Sequence, residues 1–146
     1  MVEIPPRERD TKNLTVALLK AQKSFPAIEA DASNPFFGSG YSSLAGIIRL
    51  TTQVLSANGL AVSQTFDTDD KGRDLLVTHL RHTSGEAIIS HLPLRTTKDD
   101  MQALGSAISY ARRYSLMAIL NIATSHDDDD GNAASRKTAA TEEIQF

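Results

Sequence analysis

Three consecutive strand-like runs in the middle of the chain constrain its fold more than any other feature. Residues 60–66, 75–82 and 86–95 are rich in Val, Ile, Leu and Thr, and polar, turn-forming segments at 67–74 and 83–85 separate them. Sequential strands with such short connections pair antiparallel, because a parallel pair requires a crossover of a dozen or more residues. The sequence therefore predicts a three-stranded antiparallel meander.

The segments on either side of the meander have a helical period. Apolar residues recur at three- and four-residue spacing over residues 11–24, 43–57 and 98–120. We therefore predict an α+β fold in which two helices precede the meander and a long helix follows it. Helices that cover one face of such a sheet leave its other face available.

Charge divides the 146-residue chain into unequal parts. Of its 15 basic and 18 acidic residues, 13 and 12 lie in residues 1–126, a net charge of +1, whereas 2 and 6 lie in residues 127–146, a net charge of -4. We expect a flexible arm at 1–10, a single core domain at 11–126 and a disordered acidic tail at 127–146. The arm has no apolar stretch behind its charges, so we expect neither a secretion signal nor a membrane span.

Signals for catalysis or metal binding are weak. The chain has no cysteine, which excludes thiolate zinc sites, and we find no phosphate-binding loop, dinucleotide fingerprint or nucleophile elbow. A zinc site from His79, His91 and one carboxylate is conceivable, but solvent-facing or cross-strand histidines explain the same residues. The acidic run at 127–130 is better explained as a solvated linker than as a cation site. We expect neither an enzyme nor a cofactor or metal.

The predicted third helix carries two kinds of side chain around its circumference. At 100° per residue, an apolar and small-residue stripe forms one side, and a column of hydrogen-bond donors forms another. Arg112 falls within the stripe, and we interpret it as a partly buried ion pair within or between subunits, whereas we interpret Arg113 as a phosphate ligand. The stripe comprises Met101, Leu104, Gly105, Ile108, Ala111, Ser115 and Ile119, and the column comprises Gln102, Ser106, Ser109 and Arg113.

Aromatic residues flank the polar column and also occupy a turn-rich segment that we predict to be an ordered loop. Tyr110 and Tyr114 lie on the predicted helix, and Phe36, Phe37 and Tyr41 lie in the loop. Aromatics beside arginine suit single-stranded nucleic acid, because rings stack on bases while the cation meets phosphates. They equally suit a core or a subunit contact. Helical spacing alone favours a core role for the two helical tyrosines, and we assign the three loop aromatics to structure or oligomer contacts.

Six segments of the chain together form a recognisable signature. Residues 104–116 read LGSAISYARRYSL, and DDDDG follows at 127–131. The shorter segments are NPFF at 34–37, YSSL at 41–44, NGL at 58–60 and HTSGE at 82–86. In their order and spacing over about residues 13–131, they resemble the ERF (essential recombination function) family of phage single-strand annealing proteins.

The resemblance implies a β-β-β-α core and a phage protein of the bacterial host cytoplasm that acts in DNA recombination and repair. Such a protein binds single-stranded DNA, anneals complementary strands without ATP and assembles into homo-oligomeric rings or filaments. A host single-stranded DNA-binding protein or a recombination nuclease is a candidate partner. Annealing needs contacts mostly to the phosphate backbone. The expected DNA-binding residues are Arg113, Lys98, Arg95, Arg81, Arg73, Lys71, Tyr110, Tyr114, Gln102 and Ser106.

Two alternative functions stay open at this point. A plain single-stranded DNA coat protein would use the same binding residues but would hinder strand pairing. A metal-dependent nuclease using the carboxylates at 127–130 would degrade DNA in the presence of magnesium.

Overall fold

Three helices and five strands make up the part of the chain that the computed structural model describes, residues 11–33 and 40–124. The predicted arm, the predicted tail, Phe36 and Phe37 lie outside these residues. The elements are α1 (Lys12–Ser24), β1 (Ala32–Ser33), β2 (Gly40–Tyr41), α2 (Leu44–Ala57), β3 (Leu60–Thr68), β4 (Asp74–His82), β5 (Ala87–Pro93) and α3 (Met101–Leu120).

The predicted α+β architecture is confirmed. Strands β3, β4 and β5 form an antiparallel sheet in that order, α1 and α2 precede it, and α3 follows it. The hairpin of β1 and β2, in which Ala32 pairs with Tyr41 and Ser33 with Gly40, was not predicted from the sequence. Each of these strands has only two residues, which is too short to show a periodicity.

The third helix begins later than the sequence predicted. Its first residue is Met101, and the side chain of Asp100 caps it by accepting a hydrogen bond of 2.7 Å from the Ala103 backbone N–H. A capping carboxylate satisfies one of the free N–H groups of the first turn, which fixes where the helix starts. Lys98 therefore lies in the link between β5 and α3, not on the helix.

Among the described residues, helices cover one face of the sheet, here called the helix face, and no helix packs on the other, here called the open face. On the helix face, cross-strand rows run Val62–Leu80–Ile88, Gln64–Thr78–Ser90 and Phe66–Leu76–Leu92. On the open face, the rows run Ala61–Arg81–Ala87, Ser63–His79–Ile89, Thr65–Val77–His91 and Asp67–Leu75–Pro93. We use these two names for the two sets of rows.

The core lies between the helices and the end of the sheet nearest the β4–β5 turn. All three helices contribute to it, and the buried side chains of α3 begin only at Ala111. None of the helices in the described part combines the length and the hydropathy needed to cross a membrane. The core cluster contains Leu14, Ala17, Ala21, Ile28, Ile47, Leu55, Leu60, Leu80, Leu116, Met117 and Leu120.

A carboxylate distant in sequence caps α1. The preceding residue, Thr11, makes no side-chain capping bond. Instead, Glu86 in the β4–β5 turn accepts a hydrogen bond of 2.7 Å from the Leu14 backbone N–H and one of 2.6 Å from the Asn13 side chain. The Leu14 N–H is the main cause of the lowered pKa of Glu86. A negative charge at a helix N-terminus also interacts favourably with the helix dipole, so this contact ties α1 to the hairpin.

We expect Glu86→Gln to lower the melting temperature at neutral pH and to make the melting temperature fall less as the pH is lowered. Because the folded-state pKa of Glu86 lies below its ordinary value of 4.5, the carboxylate stabilises the fold fully above that value, and this contribution is lost as pH falls through the folded-state pKa. Thermal melts at several pH values between neutral and acid measure it. Glu29→Gln, which removes the same charge at an exposed position, serves as the control. A difference in melting temperature between Glu86→Gln and the parent chain that stays the same at all pH values would contradict the capping role.

Candidate nucleic-acid interface

The guanidinium of Arg113 lies among three tyrosine rings. Its central carbon is 5.1 Å from the ring centroid of Tyr41, 5.2 Å from that of Tyr110 and 5.1 Å from that of Tyr114. These distances are within the range of cation–π interactions. The Tyr110 and Tyr114 rings also stack, with centroids 6.2 Å apart and 13° between their planes. We call these four residues the tyrosine–arginine cluster.

The cluster leaves both aromatic surface and positive charge accessible. Tyr41, Tyr110 and Tyr114 are 40%, 53% and 46% exposed. Arg113 makes only long hydrogen bonds, of 3.5 Å to the Ser42 backbone carbonyl and 3.4 Å to the Tyr114 hydroxyl. It forms no ion pair with any carboxylate in residues 11–33 and 40–124. Arg113 is half-buried, and its charge and the N–H donors that these two long bonds do not use can therefore meet an external anion.

Local sequence and tertiary contacts each supply part of the cluster. Tyr110 and Tyr114 are four residues apart on α3 and so share one side of the helix. Tyr41 comes from β2, about 70 residues earlier in the chain. The sequence suggested a structural or subunit role for Tyr41, and the structure brings its ring to Arg113.

An acidic residue fixes the position of Tyr41. The Asp31 carboxylate accepts hydrogen bonds of 2.7 Å from the Ser43 backbone N–H and 2.8 Å from the Ser43 hydroxyl. The first of these is the main reason that the pKa of Asp31 is lowered. Asp31 also donates its backbone N–H to the Tyr41 carbonyl at 3.2 Å. The hairpin that carries Tyr41 is thereby anchored to the N-terminus of α2, a contact that sequence analysis missed.

The polar column of α3 lies on its exposed side. Gln102 and Ser106 are both exposed and precede Arg113 on this side of the helix. The first two turns of the apolar stripe, however, are not buried at every position. Met101 is 81% exposed, and a Cβ on Gly105 would have no neighbour within 4 Å. Within residues 11–33 and 40–124, no other element covers Met101 or Gly105, and a helical period alone does not reveal that.

Arg112 is half-buried, and its partner is an amide. Its Nε donates to Gln64 Oε1 at 3.2 Å, and the Gln64 amide nitrogen donates to the Arg112 carbonyl at 3.0 Å. The expected ion pair is not formed with any carboxylate in the described part of the chain. A groove of about 300 Å³ lies beside this pair. It is lined by Arg112, Leu116 and residues of α2 and β3, including Ile48, Leu55, Leu60 and Val62.

Four of the expected basic residues lie near one end of the sheet. Lys71 and Arg73 belong to the β3–β4 connection. The Leu94 N–H donates to the carbonyl of Asp74, the first residue of β4, at 2.8 Å. This contact brings Arg95 and Lys98, which precede α3, to the same end of the sheet. Arg73 is engaged with Asp69 in an ion pair of 2.6 Å. Hydrogen bonding from the Arg73 backbone N–H is the main cause of the lowered pKa of Asp69.

The remaining expected residue, Arg81, lies on the open face with two histidines. His79 contacts the Thr65 hydroxyl at 3.4 Å through Nε2, and its buried Nδ1 has no hydrogen-bond partner in the described part of the chain. His91 occupies the neighbouring row of the same face. Within residues 11–33 and 40–124, no three His, Asp or Glu residues form a group able to hold a metal ion. The acidic run at 127–130 lies outside the described residues.

Comparison with known families gives one match that covers most of the chain. The model of the ERF superfamily matches residues 14–145. The matched region includes the tyrosine–arginine cluster, the sheet and α3. No curated protein and no solved structure matches the chain.

Proposed function

The chain belongs to the ERF superfamily, and from this premise we propose that it binds single-stranded DNA and anneals complementary strands without ATP. In this proposal it acts as a homo-oligomer, uses no cofactor and breaks no covalent bond. Its place of action is the cytoplasm of a bacterial host, in phage recombination and repair.

The observation that carries this proposal is the tyrosine–arginine cluster. Arg113 offers a charge that no carboxylate of the described residues neutralises, and three partly exposed tyrosine rings surround it. Single-stranded DNA presents alternating phosphates and unpaired bases, and side chains of these two kinds recognise both. Because every base has a ring face, such contacts carry little sequence preference, as a general annealing protein requires.

The exposed side of α3 extends this interface. From Gln102 to Arg113 the helix rises about 16 Å, at 1.5 Å per residue. Ser106 and Tyr110 lie between them on the exposed surface, and the link carrying Lys98 precedes them. We propose that a DNA strand follows this side of α3 from the end of the sheet that carries Lys71 and Arg95 to the cluster. Arg81, on the open face, would meet a different part of a bound strand.

Annealing further requires that the bases of the bound strand remain accessible for pairing. A protein that holds phosphates and only a few bases leaves most base edges free to pair with an incoming strand. The segment 1–126 carries a net charge of only +1. Several subunits side by side would align their few cations along one strand, which is the physical reason for proposing an oligomer.

An annealing assay tests the proposal directly. Two complementary labelled oligonucleotides are mixed with the protein in EDTA and without ATP, and duplex formation is followed against the spontaneous rate. Faster pairing supports the proposal. Binding with slowed pairing would identify a plain coat protein, degradation of the labelled strand upon adding magnesium would identify a nuclease, and a strict ATP requirement would contradict the proposal.

We expect the affinity for single-stranded DNA to fall steeply with salt. The logarithm of the association constant should decrease with the logarithm of salt concentration by about 0.7 for each phosphate contacted, because each neutralised phosphate releases counterions. Fluorescence anisotropy of a labelled oligonucleotide between low and physiological salt measures the slope. A flat dependence would contradict a phosphate-binding interface.

A further inference from the structure

We propose that successive copies of this chain join through their sheets, the β5 edge of one copy pairing in parallel with the β3 edge of the next. This inference rests on the homo-oligomer of the proposed function and specifies the interface that builds it. The partner is a second copy of the chain, and the contact is head-to-tail.

Among the described residues, both edge strands present backbone groups without a hydrogen-bond partner in compatible positions, apart from Pro93, which has no N–H. The Thr83 N–H donates to the Gly59 carbonyl, and the Asp69 N–H donates to the Arg73 carbonyl. Because bonded pairs alternate along an antiparallel ladder, the backbone groups of the odd-numbered residues of β3 face β4, and those of the even-numbered residues point outward. On the other side of the sheet, the Leu94 N–H donates to the Asp74 carbonyl. The backbone groups of the even-numbered residues of β5 therefore face β4, and those of the odd-numbered residues point to the outer edge. A parallel ladder requires the outward groups of one strand to alternate with those of its partner. The two edges satisfy this when Ile89 lies opposite Ser63, between Val62 and Gln64.

The same register also matches the side chains on the helix face. It places Ile88 beside Val62, Ser90 beside Gln64 and Leu92 beside Phe66, so apolar residues meet apolar ones on a continuous helix face. These apolar groups are otherwise exposed: Phe66 by 60%, Leu92 by 38% and Ile88 by 38%. Exposed apolar residues on an open strand edge form a template for pairing with another chain. Ile88 would also adjoin the groove lined by Val62 and Leu60.

Charge favours the parallel orientation. Arg95 and Lys98 follow the C-terminal end of β5, whereas residues 67–74 at the C-terminal end of β3, Asp67 and Asp70 among them, carry four acidic and two basic side chains, a net charge of -2. Only strands that run in the same direction bring these two ends together. An antiparallel pairing of two β5 edges would instead place the basic ends apart from Asp67 and Asp70 and would leave Phe66 exposed.

A head-to-tail interface has consequences for the form of the assembly. Each copy offers one β5 edge and one β3 edge, so every copy binds two neighbours. Such contacts give a ring if the rotation between copies closes and a helical filament if it does not. Two β5 edges pairing with each other would stop at a dimer.

Cysteine cross-linking tests this interface, since the chain has no cysteine of its own. Ser63→Cys and Ile89→Cys variants are made separately, mixed, oxidised without DNA and run on a denaturing gel. Within one chain these positions are separated by His79, two strand spacings or about 9.6 Å, which is too far for a disulfide. The matched control mixes Ser63→Cys with Ser90→Cys, because Ser90 neighbours Ile89 but lies on the helix face. Thermal melts show that each variant is folded.

The expected result is a cross-linked dimer in the Ser63→Cys and Ile89→Cys mixture, little or none in the control mixture, and a ladder of higher multimers from the double variant. Dimers from Ile89→Cys alone would overturn the proposal in favour of paired β5 edges. Absence of cross-linking in the mixture would overturn it as well. Oligonucleotide binding by the parent chain is measured separately, so a failed interface and a failed DNA-binding function give different results.

Discussion

Arg113→Ala is expected to weaken single-stranded DNA binding about tenfold or more while lowering the melting temperature only slightly. A hydrogen bond to a charged group contributes about 1.5–3 kcal/mol and stacking on one base about 1–3 kcal/mol, and 1.4 kcal/mol corresponds to tenfold in affinity. The substitution removes the phosphate ligand and also the cation that orders three tyrosine rings. Fluorescence anisotropy with a labelled oligonucleotide gives the affinity, and circular dichroism gives the melting temperature.

Three further variants separate the role of Arg113 from charge in general. Lys20→Ala removes one positive charge from the exposed side of α1 and should change affinity far less. Arg113→Lys keeps the charge but loses the planar group that stacks on rings, so it should bind with intermediate affinity. Arg112→Ala breaks the contact with Gln64 and should lower stability or assembly. Equal losses of binding for Arg112→Ala and Arg113→Ala, with unchanged melting and oligomer size, would contradict this division.

Gly46→Ala is expected to destabilise the protein by about 0.5–2 kcal/mol, because losing the two hydrogen bonds between Asp31 and Ser43, at about 0.5–1.5 kcal/mol each, outweighs the gain of about 0.5–1 kcal/mol from replacing a helical glycine. A Cβ at this helical position would overlap the Asp31 carboxylate. Asp31 would then have to release Ser43, which caps α2 by accepting a hydrogen bond of 3.0 Å from the Gly46 N–H. Since Tyr41 depends on the same anchor, DNA affinity should fall together with the unfolding free energy, as measured by denaturant titration.

A second glycine provides the matched control. Gly105 also lies in a helix, but a Cβ there meets no atom within 4 Å. Gly105→Ala should therefore stabilise the protein by about 0.5–1 kcal/mol, the ordinary gain from replacing glycine in a helix. In an Asp31→Ala background, Gly46→Ala should lose most of its cost. Destabilisation by Gly46→Ala that persists in this background would show that Asp31 is not the cause.

The sequence predicted the order and type of the larger elements. Helical spacing of apolar residues and Val-, Ile- and Leu-rich runs with short connections are local properties of the sequence. They predicted α1, α2, the meander and α3 within a few residues of their observed bounds. The start of α3 was placed three residues too early because the periodic pattern extends past the capping residue, Asp100. The motif around Arg112 and Arg113 also indicated the family from sequence alone, and the family match confirms it.

Only the tertiary structure decided which side chains meet. Tyr41 reaches Arg113, Gln64 bonds to Arg112 and Glu86 caps α1, and each of these contacts joins residues at least 48 positions apart. A periodic pattern specifies which side of an element is apolar, but it does not specify which element lies against that side. For this reason Arg112 meets the Gln64 amide and no carboxylate among the described residues, and Met101, which the sequence placed in the apolar stripe, is exposed. The sequence determined the elements and the family, and packing between distant elements determined the site.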